Sequence, residues 1–208
     1  MSLRPLKEER LSDPEWAGHL TFFGALIRNP RAVGAIVPSS VSLARRMVRD
    51  VVPASRVVEL GPGTGVITRE ILARNGESGS FFAVDVDRTF VDRIRRTWPG
   101  IDCVCASAEI LPALAAERGW PDVDHIVSGL PFATLPSATT RLILDGVHQL
   151  LRPGGTFTTF QYLHAYRVPS ATAFRREMSR RLGGQPSAQL VVRNVPPALV
   201  LTWHRLAH

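Results

Sequence analysis

Val57-Val58-Glu59-Leu60-Gly61-Pro62-Gly63-Thr64-Gly65 is the stretch that decides the fold. An apolar run of strand type ends in three glycines spaced two apart, and a helical pattern follows at once. Gly61, Gly63 and Gly65 allow a tight turn from strand to helix and let backbone come close to a ligand. Glu59 stands just before the turn, where a charge is costly unless it has a task.

Outward from this loop the chain alternates. The expected strands after Arg56–Leu60 are Phe81–Val86, Ile101–Cys105, Val123–Ser128 and Thr156–Tyr162. The expected helices between them are Gly65–Asn75, Thr89–Thr97, Leu111–Arg118 and Ala138–Leu151, the last closed by Pro153-Gly154-Gly155. Asp87 suits the N-cap of the helix after the second strand. Such alternation implies an α/β fold, a parallel sheet with helices on both faces. A helix, Ala171–Leu182, then leads to two strands, Leu190–Asn194 and Leu199–Arg205, joined through Val195-Pro196-Pro197 as an antiparallel hairpin. Before the first strand, Asp13-Pro14 starts a helix running to about Arg28, and Ser39 and Ser40 offer caps for a second, Val41 to Val51. Residues 1–52 are thus expected as a helical cap and 53–208 as the α/β domain.

The ligand follows from spacing. Asp85 closes the second expected strand, about 20 residues beyond the glycine loop, where a carboxylate can accept both hydroxyl protons of a ribose. A dinucleotide site expects a third glycine one residue later, and Val66 occupies that place. The pattern therefore points to S-adenosylmethionine. Glu59 could pair with its amino or sulfonium charge, directly or through the loop. Gly61 and Gly63 would meet the methionine end and Asp85 the ribose, with Thr64 and Gly65 of the same loop also expected among the cofactor-binding residues.

Composition narrows the class. Apolar residues make up 45% and charged residues 21%, which excludes a disordered chain. No run approaches the roughly 20 apolar residues of a membrane span, and the N-terminus lacks a signal-peptide core. Cys103 and Cys105 lie two apart on one expected strand face and read as buried or half-buried thiols. The histidines form no ligand-like cluster, so no metal is expected. The net charge of +7 is uneven. Residues 152–208 hold eight arginines and one acid, while residues 51–151 carry an excess of acids. A basic end favours an anionic surface, either lipid headgroups or nucleic acid.

The chain resembles the bacterial phospholipid N-methyltransferases over nearly its whole length. Arg28-Asn29-Pro30-Arg31-Ala32-Val33-Gly34-Ala35-Ile36-Val37-Pro38-Ser39-Ser40 is similar to their N-terminal signature, Val58–Gly65 to their cofactor loop, Ser128-Gly129-Leu130-Pro131 to their motif after strand four, and Asn194-Val195-Pro196-Pro197-Ala198 to their C-terminal hairpin. The resemblance implies a Rossmann-like class I methyltransferase fold, a seven-stranded sheet with a C-terminal antiparallel hairpin and an N-terminal helical cap. It implies Ser107, Ala108 and Ser128 beside the cofactor. Ser107 stands where the family usually has an aspartate. A more distant resemblance joins the chain to the rRNA adenine dimethyltransferases, which carry Asn-Leu/Ile-Pro-Tyr where this chain has Gly129-Leu130-Pro131-Phe132. Glycine lacks the amide that accepts an adenine amine proton, so RNA is disfavoured.

The expected activity is stepwise N-methylation of phosphatidylethanolamine to phosphatidylcholine, with S-adenosylhomocysteine as second product. Tyr162 and His164 are candidates to handle the amine, and the ring of Phe132 to favour a methylammonium. His164 reads equally well as a loop histidine. Trp16, Phe23, Arg28 and Arg31, with Ser39 and Ser40, are candidates for contact with substrate and membrane. The first helix reads either as lying in the headgroup plane or as a lid packed on the sheet. A monomer at the inner face of the membrane is expected. Three rivals stay open: methylation of an RNA adenine, methylation of a soluble small molecule, and a non-catalytic nucleic-acid-binding module.

Overall fold

The computed structural model describes residues 38–207, with side chains from residue 41. The elements in order are α1 (Pro38–Met47), β1 (Arg56–Leu60), α2 (Val66–Asn75), β2 (Ser80–Asp85), α3 (Arg88–Thr97), β3 (Cys103–Cys105), α4 (Leu111–Ala116), β4 (Val123–Ser128), α5 (Ser137–Leu150), β5 (Leu151–Tyr162), α6 (Pro169–Leu182), β6 (Ser187–Val191) and β7 (Ala198–His204). Short 3₁₀ turns cover Ala108–Ile110 and Leu163–Ala165. The expected first helix, with Trp16, Phe23, Arg28 and Arg31, lies outside the described residues.

One seven-stranded sheet has the order β3-β2-β1-β4-β5-β7-β6. The first five strands are parallel, and β7 runs antiparallel to both β5 and β6. β1 through β3 spread to one side, and the chain then returns to lay β4 on the free edge of β1. This reversal of strand order opens a crevice outside the carboxyl ends of β1 and β4, where ligands bind in open α/β sheets.

Helices cover both faces because the central strands are apolar on both. Val58 and Leu60 face Leu111, Ile143, Leu144 and Phe174 of α4, α5 and α6. Val57, one residue away and hence on the opposite side, faces Met47 and Val48 of the α1 segment and Ile71 of α2. Phe157 and Trp203 seal the antiparallel end, with ring centroids 6.0 Å apart. α3 packs Val91 and Ile94 on Ala83 and Cys103. Cys103 is buried and Cys105 half-buried, and burial pushes the Cys103 thiol up to about 12. Asp87 caps α3, its carboxylate accepting from the Thr89 amide at 2.8 Å.

Several boundaries differ from expectation, and proline accounts for the helix starts. α1 begins at Pro38, so Ser39 and Ser40 sit inside its first turn instead of capping it; proline's fixed φ suits the first helical position. The same rule starts α6 at Pro169, two residues before the expected Ala171. Pro153-Gly154-Gly155 does not separate α5 from the fifth strand. β5 starts at Leu151 and carries these residues as an irregularity, with the register to β4 shifting between Val123 and His125. Gly154 donates to Arg205 O and Arg205 donates to Gly155 O, so the hairpin strand satisfies the bulged backbone. The closing strands lie slightly earlier than expected, at Ser187–Val191 and Ala198–His204. No helix among the described residues is long and apolar enough to cross a membrane.

Asn75 ties the two central strands at their start. Its buried amide accepts from Ser55 N at 2.9 Å and donates to Ser55 O at 3.1 Å and Ser80 O at 3.2 Å. Gly79 has no side chain because a Cβ there would fall 2.2 Å from that amide. Asn75→Ala leaves the buried Ser55 amide without its partner and removes two further bonds, to Ser55 O and Ser80 O, and should cost about 1–3 kcal/mol in denaturant unfolding.

Candidate functional site

Everything at the carboxyl edge hangs on the turn after β1. Leu60 and Gly61 continue the ladder on both sides: Gly61 donates to Val84 O at 2.9 Å and Gly129 donates to Leu60 O at 2.8 Å. Gly61, Gly63 and Gly65 all have positive φ, and the first and last are also hemmed in. A Cβ on Gly61 would meet Leu130, and one on Gly65 would meet Trp98 and Ile94 at under 3.0 Å. Gly63 differs, since a Cβ there would meet nothing within 4 Å. Its backbone faces open space, as a loop must if a ligand is to rest on it. Thr64 beside it is exposed.

Two carboxyls flank this loop. Glu59 is fully buried at the end of β1. One oxygen accepts from Thr68 Oγ1 of α2 at 2.7 Å, and the other, Oε1, has no partner. Burial pushes its pKa up to about 8, against the lowering by Thr68, and the Asp85 charge adds to the rise. A buried carboxyl with an idle oxygen beside an open glycine loop suits a cationic group. Asp85 ends β2. Its Oδ2 accepts from Gly63 N at 3.2 Å and its Oδ1 from Asp87 N at 3.0 Å. It therefore fixes the loop, and each oxygen keeps a lone-pair site for a further donor such as a ribose hydroxyl. Burial also raises its pKa, more than those backbone bonds lower it.

The rest of the expected cofactor set frames the same edge. Ser107 follows β3 and caps the short 3₁₀ turn, its Oγ accepting from Glu109 N at 3.2 Å. Ala108 is buried in the core beneath that turn. Ser128 closes β4, fully buried, and accepts from Leu130 N at 3.2 Å, which bends the chain away from the strand. Thus Glu59, the glycines, Asp85, Ser107, Ala108 and Ser128 converge from four strand ends.

Beyond Gly129 a cavity of about 360 Å³ opens between the ends of β4 and β5 and the start of α6. Leu130, Phe132, Phe160, Ala171 and Phe174 make much of its wall apolar, and Gln161, Tyr162 and His164 add polar groups. Phe132 is buried, stacked on Phe174 at 4.3 Å and edge-on to Phe157 at 6.2 Å. Tyr162 is half-buried, packs edge-on to Phe160 at 5.4 Å, and lies parallel to the exposed His164 at 5.7 Å. Burial pushes the Tyr162 phenol pKa up. Among the described residues no cluster of His, Cys, Asp or Glu could hold a metal ion.

Gly129, which the strand-four motif already marks, and two residues that the sequence does not single out, Thr68 and Arg175, shape the site. A Cβ on Gly129 would lie 2.6 Å from Gly61 O, so the strand-four motif needs glycine there for close approach to the cofactor loop. Thr68 orients Glu59. Arg175 donates to Gln161 Oε1 at 2.7 Å and to Tyr166 O at 2.8 Å, which fixes the buried Gln161 at the cavity wall. Glycine beside glycine loops was a readable signal; the others depend on which helix packs where.

Residues 57–155 match a methyltransferase-domain family. The chain is 29% identical over 182 residues to the ornithine lipid N-methyltransferase of Singulisphaera acidiphila, covering 85% of this chain and 91% of that protein. It is 28% identical over 89 residues to a probable ribosomal RNA small subunit methyltransferase A of Thermococcus gammatolerans, spanning only 28% of that protein. In fold it is similar to the Burkholderia thailandensis 1,6-didemethyltoxoflavin-N1-methyltransferase solved with 1,6-didemethyltoxoflavin and S-adenosylhomocysteine, with a TM-score of 0.67 at 20% identity over 97% of this chain and 94% of that one.

Two outcomes test the site. The raised Glu59 pKa means that its protonated form supports the ligand-free fold fully below about pH 4.5, and this support is lost as pH rises through about 8. Glu59→Gln should therefore flatten the fall in melting temperature of the ligand-free protein between about pH 4.5 and pH 8, while weakening S-adenosylmethionine binding more than about tenfold. Gly129→Ala forces the loop off Gly61 O and should weaken cofactor binding by about tenfold or more in calorimetry, with smaller effect on the melting temperature.

Proposed function

The chain carries a class I S-adenosylmethionine-dependent methyltransferase domain, and on that premise we propose that it N-methylates the primary amine of a membrane-lipid headgroup. The observation that carries this reading is the largely apolar cavity opening beside the cofactor loop, lined by aromatic rings and Tyr162. Support comes from the near full-length similarity to an ornithine lipid N-methyltransferase. Phosphatidylethanolamine, methylated stepwise to phosphatidylcholine, is the substrate that the sequence motifs favour; ornithine lipid is the second candidate, favoured by that relative.

S-adenosylmethionine, when bound, supplies a methyl group on a cationic sulfur. Glu59 and the Gly61–Gly65 loop hold the methionine end, Asp85 the ribose, and Ser107 and Ala108 the adenine side. Ser128 shapes the turn that separates cofactor from amine. The chain's own task is to present a neutral nitrogen. A largely apolar wall disfavours the ammonium form and pulls the amine toward its nucleophilic free base. Tyr162, whose phenol burial keeps protonated, cannot serve as a phenolate base at neutral pH. Its oxygen instead accepts a hydrogen bond from an amine N–H and so aims the nitrogen lone pair. The released proton passes to water along the exposed side, where His164 lies. Phe132 and its stacked partners favour the methylated cation.

The association with the anionic inner face of a membrane is part of this reading, with Trp16, Phe23, Arg28, Arg31, Ser39 and Ser40 as candidate contacts. Incubation of the pure protein with methyl-labelled S-adenosylmethionine and vesicles containing phosphatidylethanolamine, in parallel with ornithine lipid, tests it. Label is expected on the headgroup nitrogen. Label found only on added RNA or a soluble amine would sink the proposal. Tyr162→Phe should lower kcat about tenfold with little change in cofactor affinity.

A further inference from the structure

The strands that end at the cofactor edge also deliver an exposed apolar rim there. Tyr162 of β5 and Val191 of β6 both pair with Ala198 of β7. The segments that follow β5 and β6 therefore leave the sheet at one level, about 10 Å apart across two strand spacings. Leu163 donates to Pro197 O at 2.9 Å, which ties the turn after β5 to the β6–β7 loop. Because β5 runs parallel to β1 and β4, this level lies at the carboxyl edge, where Gly61 and Gly129 lie. The cavity reaches it, since His164, Ala165 and Pro196 belong to its wall.

Four aliphatic side chains stand out from this rim. Val195 is 82% exposed, Val192 66%, Leu163 48% and Val168 37%. Single exposed aliphatics are ordinary, but four on two linked loops at a cavity mouth form a patch. Arg167 and Arg193 are exposed beside them. Most other arginines of the basic C-terminal end are engaged: Arg152 with Asp124, Arg175 with Gln161, Arg180 and Arg181 with Glu177, and Arg205 with Leu151 O. Arg167 and Arg193 make no ion pair with the described residues, and no acidic residue lies between 146 and 208 except Glu177.

We infer that Leu163, Val168, Val192 and Val195, flanked by Arg167 and Arg193, dock the carboxyl edge of the sheet onto an anionic phospholipid bilayer. Apolar tips with unpaired guanidiniums beside them fit an interface of acyl chains below and phosphates above. A nucleic acid would have used the arginines but left the valines in water. Docking on this edge puts the cavity mouth against the bilayer, so that a lipid amine enters without the lipid leaving the membrane. The inference rests on the lipid-amine reading above for its purpose but not for its test.

The test uses the full chain and vesicles of phosphatidylethanolamine with phosphatidylglycerol, read by co-sedimentation. The double change Val192→Asp with Val195→Asp should weaken vesicle partition by about tenfold or more. Arg167→Glu with Arg193→Glu should do so only on the anionic vesicles and not on neutral phosphatidylcholine. Both variants should keep the parent's S-adenosylmethionine affinity, and its methyl transfer to lipid dispersed in detergent micelles. Partition of the double valine variant within about twofold of the parent overturns the docking surface. So does loss of cofactor affinity in step with partition, which marks a structural role, and so does displacement of the parent from vesicles by single-stranded RNA through the arginines alone. A parent that partitions through these residues yet methylates no amine lipid in vesicles or micelles leaves the surface standing and defeats the substrate reading.

Discussion

The close passage of Gly129 over the carbonyl of Gly61 is the constraint on which the site depends. β4 must lie directly against β1 for the sheet to reverse its order, and the chain leaving β4 must turn at once to form the cavity. Gly129 donates to Leu60 O at 2.8 Å while its missing Cβ clears Gly61 O. One contact thus welds the glycine loop to the wall of the adjoining cavity. It also explains the absence of an amide side chain at the first position of the strand-four motif: any Cβ there would collide with backbone, which cannot swing aside as a flexible side chain can.

The second constraint is electrostatic. Two carboxyls close to a glycine loop, one fully buried, destabilise a ligand-free protein. Thr68 relieves only one oxygen of Glu59, and protonation relieves the rest. A cationic ligand changes that balance, since it stabilises the ionised carboxylate that burial opposes. On the proposed reading, cofactor binding is linked to proton release from Glu59, where the strand end and the loop meet. Asp85 plays the complementary part, spending one bond on each neighbouring amide while retaining acceptor capacity.

Polarity then divides the carboxyl edge. On the β1–β2 side it is lined with the carboxyls of Glu59 and Asp85 and the backbone of the glycine loop. On the β4–β5 side it is lined with aromatic and aliphatic walls, and the loops beyond carry valines into solvent. A reaction between a polar cofactor and the amine of an amphiphile requires such a boundary, because the nitrogen must be dehydrated while the two charged ends stay solvated or paired. The two halves of this edge meet because the parallel strands all end there, and β7, antiparallel to both β5 and β6, sets the segments that follow those two strands at the same level.

The sequence by itself determined the α/β alternation, the order of strands and helices after residue 55, the glycine loop, the position of Asp85 at a strand end and the Asp87 cap. These are local: they follow from hydrophobic period, backbone permissiveness and side-chain hydrogen bonds within a few residues. The helix starts at Pro38 and Pro169 are local too, since proline's fixed φ suits the first turn. The β5 irregularity is not readable from the sequence, since Pro153-Gly154-Gly155 is a stop signal unless a distant segment, here Arg205 just past β7, satisfies its backbone. The tertiary structure alone decided that Thr68 meets Glu59, that Arg175 holds Gln161, that Gly129 must be glycine, and that Leu163 and Val195 share one rim. Each of these joins residues distant along the chain, and only the packing of helices on the sheet and the pairing of β7 between β5 and β6 brings them together.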